Sequence, residues 1–272
     1  KFTIDGVGVK ASELFDNFCA VSAGPEDSEI LSGAASRRRL FMDIYQSQLS
    51  PAYLASLSAY QQALQQKNAA LRQQMDGSLF DPVLIDYGVR VIQARRSFIA
   101  ALQEQAGSLY GDISGGEELD LSYQPSVPLP VDAGSYLSDE EVRTAFEEKL
   151  AASREREQML GSAVVGPHRD DIKFTIGGHP ARSHASQGQW RTAAVALKLT
   201  VYQLLRDKRE MSPLLLLDEI FAELDPERCL QLIASFSRFS QIFLTTAQPP
   251  PEPLLENGRC FTLEAGRITE VA

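Results

Sequence analysis

Long apolar stretches are missing from this 272-residue sequence, and their absence excludes whole classes of protein. No run approaches the roughly 18 apolar residues that a membrane span needs, so we expect no contact with a membrane. The opening residues, KFTIDGVGVK, have no apolar core of the length found in secretory signals. They also lack an initiator methionine, from which we expect a piece of a longer natural sequence.

Cysteine is scarce as well. The chain has three, Cys19, Cys229 and Cys260, and their spacing matches no metal-binding or disulfide motif. Cysteines that are unpaired and far apart argue against a zinc site and favour a reducing compartment. We therefore expect a cytoplasmic protein.

Positive charge is in short supply, because 26 lysines and arginines stand against 36 aspartates and glutamates, for a net charge of −10. Indiscriminate binding to nucleic acid depends on neutralising phosphates and releasing counterions, and an acidic chain opposes it. Any contact with DNA must therefore be local. The hydrophobic content of 44% is that of an ordinary globular protein, and the length allows one large or two ordinary domains.

Helical patterns dominate the first half of the chain. From Pro51, apolar residues recur at three- and four-residue steps among Gln, Lys and Arg, and a second stripe of this kind follows. The break at Asp76 and Gly77 predicts two long helices joined by a short turn. Ser138 and Glu141 form a capping box that predicts the start of a further helix.

Strands alternate with helices in the second half. The Gly177-Gly178 pair predicts a hairpin turn, and RCFTLEAGRITEV near the end predicts a second hairpin. The leucine run at 214–217, bounded by Pro213 and two acids, predicts a strand of a parallel sheet that is buried on both faces. The sequence therefore predicts an α/β fold.

Two acidic residues follow this strand directly. Ligands of parallel sheets lie outside the carboxyl ends of the strands, which is where Asp218 and Glu219 are expected. In P-loop NTPases a carboxylate such as Asp218 holds Mg²⁺, and an adjacent glutamate such as Glu219 orients or deprotonates the attacking water. Four aliphatic residues followed by Asp-Glu form a Walker B motif of the ABC type. The alternative is a strand that ends at the surface in solvated acids.

A second motif precedes the acidic pair. The segment ASQGQWRTAAVALKL places Ser186, Gln187, Gly188 and Gln189 at the start of a long helix. A serine cap, free N–H groups and the helix dipole favour an anion there. In ABC-type ATPases such a signature covers the γ-phosphate bound to the opposite subunit. The alternative is an ordinary capped helix.

A third motif, AELD, ends at Asp225 and leads into a helix at Pro226. The D-loop of ABC-type ATPases crosses the dimer interface at this position. An aspartate before a proline is also a common N-cap, so this simpler interpretation stays open. The order and spacing of the three motifs together favour an ATPase.

With these motifs the chain resembles the RecF family, the SMC-like, ABC-type ATPases of bacterial recombinational DNA repair. Five segments that span nearly the whole chain carry the resemblance: GPEDSEILSGAASRRRLFMD, YLASLSAYQQALQQKNAALR, GPHRDDIKF, ASQGQWRTAAVALKL and LLLLDEIFAELD. It implies an ABC-type ATPase lobe with an inserted α-helical arm. Residues 1–45 would be the remnant of an N-terminal ATPase subdomain and a basic junction, 46–160 the arm, and 161–272 the C-terminal half of the lobe.

The resemblance also implies a function. Two subunits would hold ATP and Mg²⁺ between them and, as an ATP-dependent homodimer, act as a clamp on DNA at gapped or stalled replication sites. RecR and RecO would be the protein partners, and RecA an indirect one.

The sequence departs from the family in two places. It contains no G-x-x-x-x-G-K-[ST] Walker A motif, and Thr246, Ala247 and Gln248 stand where ABC transporters carry a switch histidine. Without the Walker A lysine the chain as given should hydrolyse almost no ATP, whereas the full-length protein should be a slow ATPase. A non-hydrolysing module that binds partners is therefore a second hypothesis. The helical insertion disfavours a third, a transporter's nucleotide-binding subunit.

Basic residues suggest where DNA would bind, and both of their interpretations stay open. Arg37, Arg38 and Arg39 are either a helix start packed on neighbouring acids or a patch that contacts phosphates. The residues His168 and Arg169, in PHRDD, belong either to an ion-paired turn or to the same DNA-binding surface.

Overall fold

A computed structural model describes residues 2–9, 13, 17–130, 137–222, 224–255, 258–265 and 267–271. Its strands are β1 (Phe2–Ile4), β2 (Val7–Val9), β3 (Ala20–Ala23), β4 (Leu119–Gln124), β5 (Asp171–Ile176), β6 (His179–Pro180), β7 (Leu214–Asp218), β8 (Ile242–Thr245), β9 (Cys260–Glu264) and β10 (Arg267–Val271). Its α-helices are α1 (Glu29–Ser32), α2 (Ala35–Leu49), α3 (Pro51–Arg72), α4 (Asp81–Ser114), α5 (Asp139–Leu160), α6 (Ala181–His184), α7 (Gln187–Arg209), α8 (Pro226–Ser235) and α9 (Glu252–Leu255).

A parallel sheet with the strand order β3-β7-β8 joins a strand near the start of the chain to two strands of its second half. In the middle strand, Leu215 pairs with Val21 of β3 and with Ile242 of β8. Leu215 and Leu217 are buried in one hydrophobic cluster with residues of α7 and of the C-terminal half of α4. Parallel strands joined by helical crossovers confirm the predicted α/β class.

The opposite face of this sheet differs from the prediction. Leu216 is 37% exposed, and its register partner Phe243 is 53% exposed. The expectation of a leucine strand buried on both faces is therefore wrong for the described residues. The reason is that α7 packs against one face, which receives Leu215 and Leu217, whereas the other face is left open.

A second sheet is antiparallel and has the strand order β4-β5-β6. Its strands β4 and β5 contribute residues to the same hydrophobic cluster as the parallel sheet. The predicted hairpin turn is present, because Gly177 and Gly178 both have left-handed backbone angles, with φ of 55° and 77°. The predicted final hairpin is also present as the antiparallel pair of β9 and β10.

Helices α3, α4 and α5 form a helical arm, which has a hydrophobic cluster of its own. A 3-10 turn at Gly77–Phe80 joins α3 to α4, at the predicted break. The Ser50 hydroxyl accepts from the N–H of Tyr53 and caps α3, and the predicted capping box of Ser138 with Glu141 begins α5. The predicted helical hairpin is thus confirmed.

Helix α4 belongs to both hydrophobic clusters. Its first half packs inside the arm, where a Cβ added at Gly88 would lie 2.5 Å from the Phe146 ring. Its second half, from Phe98 to Ile113, packs in the cluster of the sheets. The helix has 34 residues, so it extends about 50 Å and connects the arm to the hydrophobic cluster of the sheets.

The sequence pattern did not predict α2 as a separate helix. It begins at Ala35, includes the basic cluster and continues to Leu49, so it passes through the position 45/46 at which we place the start of the arm. Among the described residues, none of the helices has both the length and the apolar content needed to cross a membrane.

Candidate functional site

The acidic site begins at the carboxyl end of the parallel sheet. Asp218 is the last residue of β7, and its side chain is exposed. Thr245, its register partner at the end of β8, donates its hydroxyl hydrogen bond to Asp218 Oδ1. On the other side, a Cβ built at Gly24, directly after β3, would lie 3.7 Å from the Asp218 Cβ. The ends of three neighbouring strands therefore surround this carboxylate.

Glu219 follows with an unusual backbone conformation. Its φ is +48°, in the left-handed region that residues other than glycine rarely adopt. The backbone holds it there, because its N–H donates to the Thr245 carbonyl at 3.0 Å. Its Oε1 accepts a hydrogen bond from the Ala247 N–H at 2.6 Å. Strained residues of this kind are frequent at functional sites, and this one contacts the segment that stands where a switch histidine is expected.

A loop after β3 forms the second wall of the acidic site. Asp27 accepts from the N–H of Gly24 and closes a 3-10 turn at Pro25–Ser28. The buried Lys198 of α7 forms an ion pair with Asp27 at 2.8 Å and donates to the Ser22 carbonyl at 2.7 Å. The GPED residues belong to a segment that carries the family resemblance, but the sequence pattern assigns no role to them. Lys198 was not predicted as a site residue, because no local motif distinguishes it from the rest of its helix.

The signature segment caps its helix as the sequence predicts. Ser186 Oγ accepts from the N–H of Gln189 at 3.2 Å, and Gln189 Oε1 accepts from the N–H of Ser186 at 2.9 Å. Ser186 and Gln187 are exposed, and Gly188 is half-buried. The first turn of an α-helix has N–H groups without intrahelical partners, so this exposed end suits an anion.

Asp225 is the N-cap of α8. Its Oδ1 accepts from the N–H of Arg228 at 2.9 Å, and its Oδ2 forms an ion pair with the Arg228 guanidinium at 3.3 Å. Arg191 of α7 donates to the carbonyl of Ala222 at 2.6 Å, which ties the signature helix to the segment before Asp225. Both simpler interpretations, capping by Ser186 and by Asp225, describe contacts that are present.

The signature and the acidic pair have different polar partners within one chain. In the described part of the structure, no hydrogen bond or ion pair joins Ser186 or Gln187 to Asp218 or Glu219. The two motifs therefore do not form one hydrogen-bonded cluster in a single subunit.

The three arginines of α2 have different environments. Arg38 is buried, and it binds both carboxylate oxygens of Asp171 and the carbonyls of Ile30 and Gly33. Arg37 is half exposed and forms an ion pair with Glu29 at 2.7 Å. Arg39 donates to the carbonyl of Asp170 at 2.9 Å. The packing on neighbouring acids that we considered is thus present, and Arg38 is too enclosed to reach a phosphate.

The PHRDD segment is an internal turn. His168 Nδ1 lies 2.6 Å from the Tyr60 hydroxyl, and Nε2 lies 3.1 Å from the Ala163 carbonyl, so the neutral tautomer with a proton on Nε2 satisfies both contacts. Burial lowers the pKa of His168 from 6.5 to about 4. A neutral imidazole adds no positive charge for DNA. Arg169 remains exposed and donates to the same Ala163 carbonyl at 3.0 Å.

The carboxylates at the end of the parallel sheet determine which kind of metal site the chain could form. No group of three or more His, Cys, Asp and Glu side chains that could hold a metal occurs in the described part of the chain. Mg²⁺ commonly binds through one or two carboxylates together with phosphate oxygens and water. Asp218 therefore fits a magnesium ion that arrives with a nucleotide, and it does not fit a metal centre built from protein side chains alone.

Comparison with known proteins identifies relatives along almost the whole chain. A protein of Streptococcus suis (strain 05ZYH33) named "DNA replication and repair protein RecF" is 36% identical over 268 residues, which cover 96% of this chain and 71% of the relative. A protein of the same name from Rippkaea orientalis is 37% identical over 278 residues, covering 94% and 71%. No family model matches the chain.

Solved structures agree with these relatives. A structure described as "the recombination mediator protein RecF-ATP in RecFOR pathway" superposes with a TM-score of 0.84 at 29% identity. The superposition covers 99% of this chain and 72% of that one. The relatives are thus longer than the chain, and the similarity extends through both the sheets and the arm.

Proposed function

The chain belongs to the RecF family of DNA replication and repair proteins, and on that basis we propose that it is part of an ATP-dependent DNA-binding protein of recombinational repair in the cytoplasm. Its fold is the ABC-type ATPase lobe with an inserted helical arm. One observation carries the proposal: Asp218 and Glu219 lie at the carboxyl end of a parallel strand, in a chain that also has a capped SQGQ helix.

Asp218 and Glu219 have different roles in this proposal. Asp218 is exposed at the strand end and would hold Mg²⁺, which supplies charge neutralisation for the phosphates when it is bound with ATP. Glu219 would orient the attacking water and accept its proton. Its hydrogen bond from Ala247 holds one carboxylate oxygen and directs the side chain along the sheet edge.

The signature works across a dimer interface in this proposal. Ser186, Gln187, Gly188 and Gln189 would contact the γ-phosphate of ATP on the second subunit, and Asp225 would lie at the interface. The support is the exposure of this helix end, where Ser186 and Gln187 are accessible to a second subunit. A homodimer that closes around ATP would then act as a clamp on DNA.

DNA would meet local basic residues of this acidic chain. Arg37, Arg39 and Arg169 are the candidates, because each has an exposed or half-exposed side chain, whereas Arg38 and His168 are held inside. We propose RecR and RecO as partners and RecA as an indirect one, since the solved relative is described within the RecFOR pathway. Gapped or stalled replication sites would be the place of action.

A second candidate follows from the sequence itself. Without a Walker A motif, the given residues would serve as a structural module that binds partners and does not hydrolyse ATP. The helical arm packs around its own hydrophobic cluster and would be the part of the chain that a partner binds.

We also propose a division of the chain into three parts, at residues 1–45, 46–160 and 161–272.

Glu219→Gln in the full-length protein tests the catalytic assignment. The amide keeps the shape of the side chain but cannot accept a proton, so ATP hydrolysis should be abolished while dimers formed with ATP persist. Glu227→Gln, at an exposed position of α8, is the matched control and should hydrolyse ATP like the unmodified protein. Normal turnover in the Glu219→Gln protein would refute the assignment.

A further inference from the structure

Glu117 lies where the long helix of the arm meets the signature. Helix α4 ends at Ser114, and Gly115 follows in the left-handed conformation that closes the helix. The Ser114 hydroxyl accepts from the N–H of Glu117 at 3.1 Å and fixes the chain as it leaves the helix. The half-buried Glu117 side chain then binds residues of α7 and α8 through Oε1 and Tyr110 of α4 through Oε2.

The first contact sets the orientation of the Gln189 amide. Glu117 Oε1 accepts from Gln189 Nε2 at 3.0 Å, and an ionised carboxylate can only accept hydrogen bonds. The NH₂ group of Gln189 must therefore face Glu117. Its Oε1 is left to accept from the N–H of Ser186, which closes the capping box of the signature.

The second contact reaches the cap of α8. Arg228 lies with its guanidinium 3.4 Å from Glu117 Oε1, and the same guanidinium pairs with Asp225 at 3.3 Å. Arg228 also lies 3.4 Å from the Thr192 hydroxyl of α7. Its side chain is only 16% exposed, so solvent weakens these charge interactions less than it would at a fully exposed pair. One carboxylate thus links the caps of two helices.

The third contact holds Glu117 in place. The buried Tyr110 donates its hydroxyl to Glu117 Oε2 at 2.6 Å. Burial and the hydrogen bond to Glu117 raise the pKa of Tyr110, so the phenol remains a donor at every physiological pH. Tyr110 and Ser114 both belong to α4, and the orientation of Glu117 therefore depends on the end of the arm helix.

We propose that Glu117 is a positioning residue for the ATP-dependent dimer: it orients Gln189 and Arg228 so that Ser186 and Asp225 present their helix ends together. Because Glu117 follows the end of α4 directly and is held by Tyr110 of that helix, displacement of α4 would move Glu117 and with it the contacts of the signature. The inference rests on the proposed function, since it assumes that the signature meets ATP on a second subunit.

The test compares dimerisation with ATP binding in the full-length protein. Glu117→Gln loses the charge and can present either end of its amide to Gln189, so the ATP-dependent dimer should weaken by about tenfold or more, the scale for a charged hydrogen bond. Binding of ATP to each monomer should not change, and a fall in the melting temperature from the lost ion pair should leave the monomer folded at the temperature of the assay. Glu118→Gln, next in sequence and exposed, makes the same charge change and should dimerise normally.

A double-mutant cycle provides the second readout. Arg228→Gln breaks the link to Glu117 from its other side, so the double variant Glu117→Gln with Arg228→Gln should weaken the dimer by less than the sum of the two single effects. A purely structural role predicts instead that the melting temperature falls in each variant while dimerisation with ATP does not change.

Each outcome has a separate meaning. If the unmodified protein forms no dimer with ATP, the proposed function fails. If the unmodified protein dimerises and Glu117→Gln does so equally well, Glu117 has no positioning role. Losses of dimerisation in Glu117→Gln and Arg228→Gln that add independently in the double variant would also overturn the inference.

Discussion

At the scale of single residues, the two neighbouring acids of the candidate site are held by different means. Asp218 keeps a regular strand backbone and is exposed, with one oxygen bound by the Thr245 hydroxyl. Glu219 has a left-handed backbone and binds the N–H of Ala247. The two carboxylates therefore have different partners at one sheet edge, and we propose different roles for them. Ala247 thereby contacts the proposed base.

His168 shows how strongly the PHRDD turn departs from a surface site. Its pKa of about 4 in the folded chain lies below the ordinary value of 6.5, so the unfolded chain binds the proton more readily. The stabilisation is complete above pH 6.5 and is lost as the pH falls toward 4. The full shift corresponds to about 3 kcal/mol of the free energy of unfolding.

A pH series of unfolding measurements checks this prediction. The free energy of unfolding should fall between pH 7 and pH 4, and His168→Gln should remove about 3 kcal/mol of that fall because a neutral amide has no proton to gain. His184→Gln changes an exposed histidine and should leave the fall in place. An identical pH profile in the His168→Gln protein would show that the imidazole titrates normally.

Sequence reasoning found the residues whose contacts are local and missed those whose contacts are distant. Ser186 and Asp225 were identified as caps because each bonds to a residue three positions later. Arg38 meets Asp171, 133 residues away, and His168 meets Tyr60, 108 residues away. No local pattern reports such pairs, so the basic cluster looked more available to DNA than it is.

At the scale of helices, the arm was predictable because its stripe follows the helical repeat. The boundaries of α2 were not, because its buried face mixes apolar with polar residues, and the polar ones are Arg38, Gln46, Ser47 and Gln48. Its apolar stripe is further obscured by Leu40 and Ile44, which are exposed on the other face. The wrong prediction for the leucine strand has a related cause. Four leucines in a row do not show which face of the strand a helix covers.

Lys67 in α3 is the principal polar contact within the arm. It is 2% exposed and lies 2.7 Å from Asp81 of α4 and 2.7 Å from Glu157 of α5. Glu157 also accepts from the N–H of Val164, directly after the arm. Three helices and the chain that leaves them therefore meet at one ammonium group.

Lys67→Ala should destabilise the chain strongly. Two carboxylates would stay buried without a cation, and breaking a buried ion pair in this way costs about 3–5 kcal/mol. Lys149→Ala, at an exposed position of α5, should change the free energy of unfolding by no more than about 0.5 kcal/mol. Urea-induced unfolding of both variants measures the difference, and equal effects would mean that the buried ion pairs contribute little.

At the scale of the whole molecule, α4 is a single helix that packs both in the arm and in the ATPase lobe. One end of the helix lies against α3 and α5, and the other end leads to Glu117 beside the signature. The first residues of the signature helix are exposed. This exposure leaves them accessible to the second subunit that we propose.

The most direct test of this account is analytical ultracentrifugation of the full-length protein with ATP and Mg²⁺, comparing Ser186→Arg with the unmodified protein. We predict that Ser186→Arg binds ATP as a monomer but does not dimerise, because the long side chain blocks the helix end that should meet the partner's γ-phosphate. Ser183→Arg, exposed in the preceding helix α6, should dimerise normally. A Ser186→Arg protein that dimerises like the unmodified one, with only the roughly 1 kcal/mol loss of stability expected for a lost cap, would contradict the account.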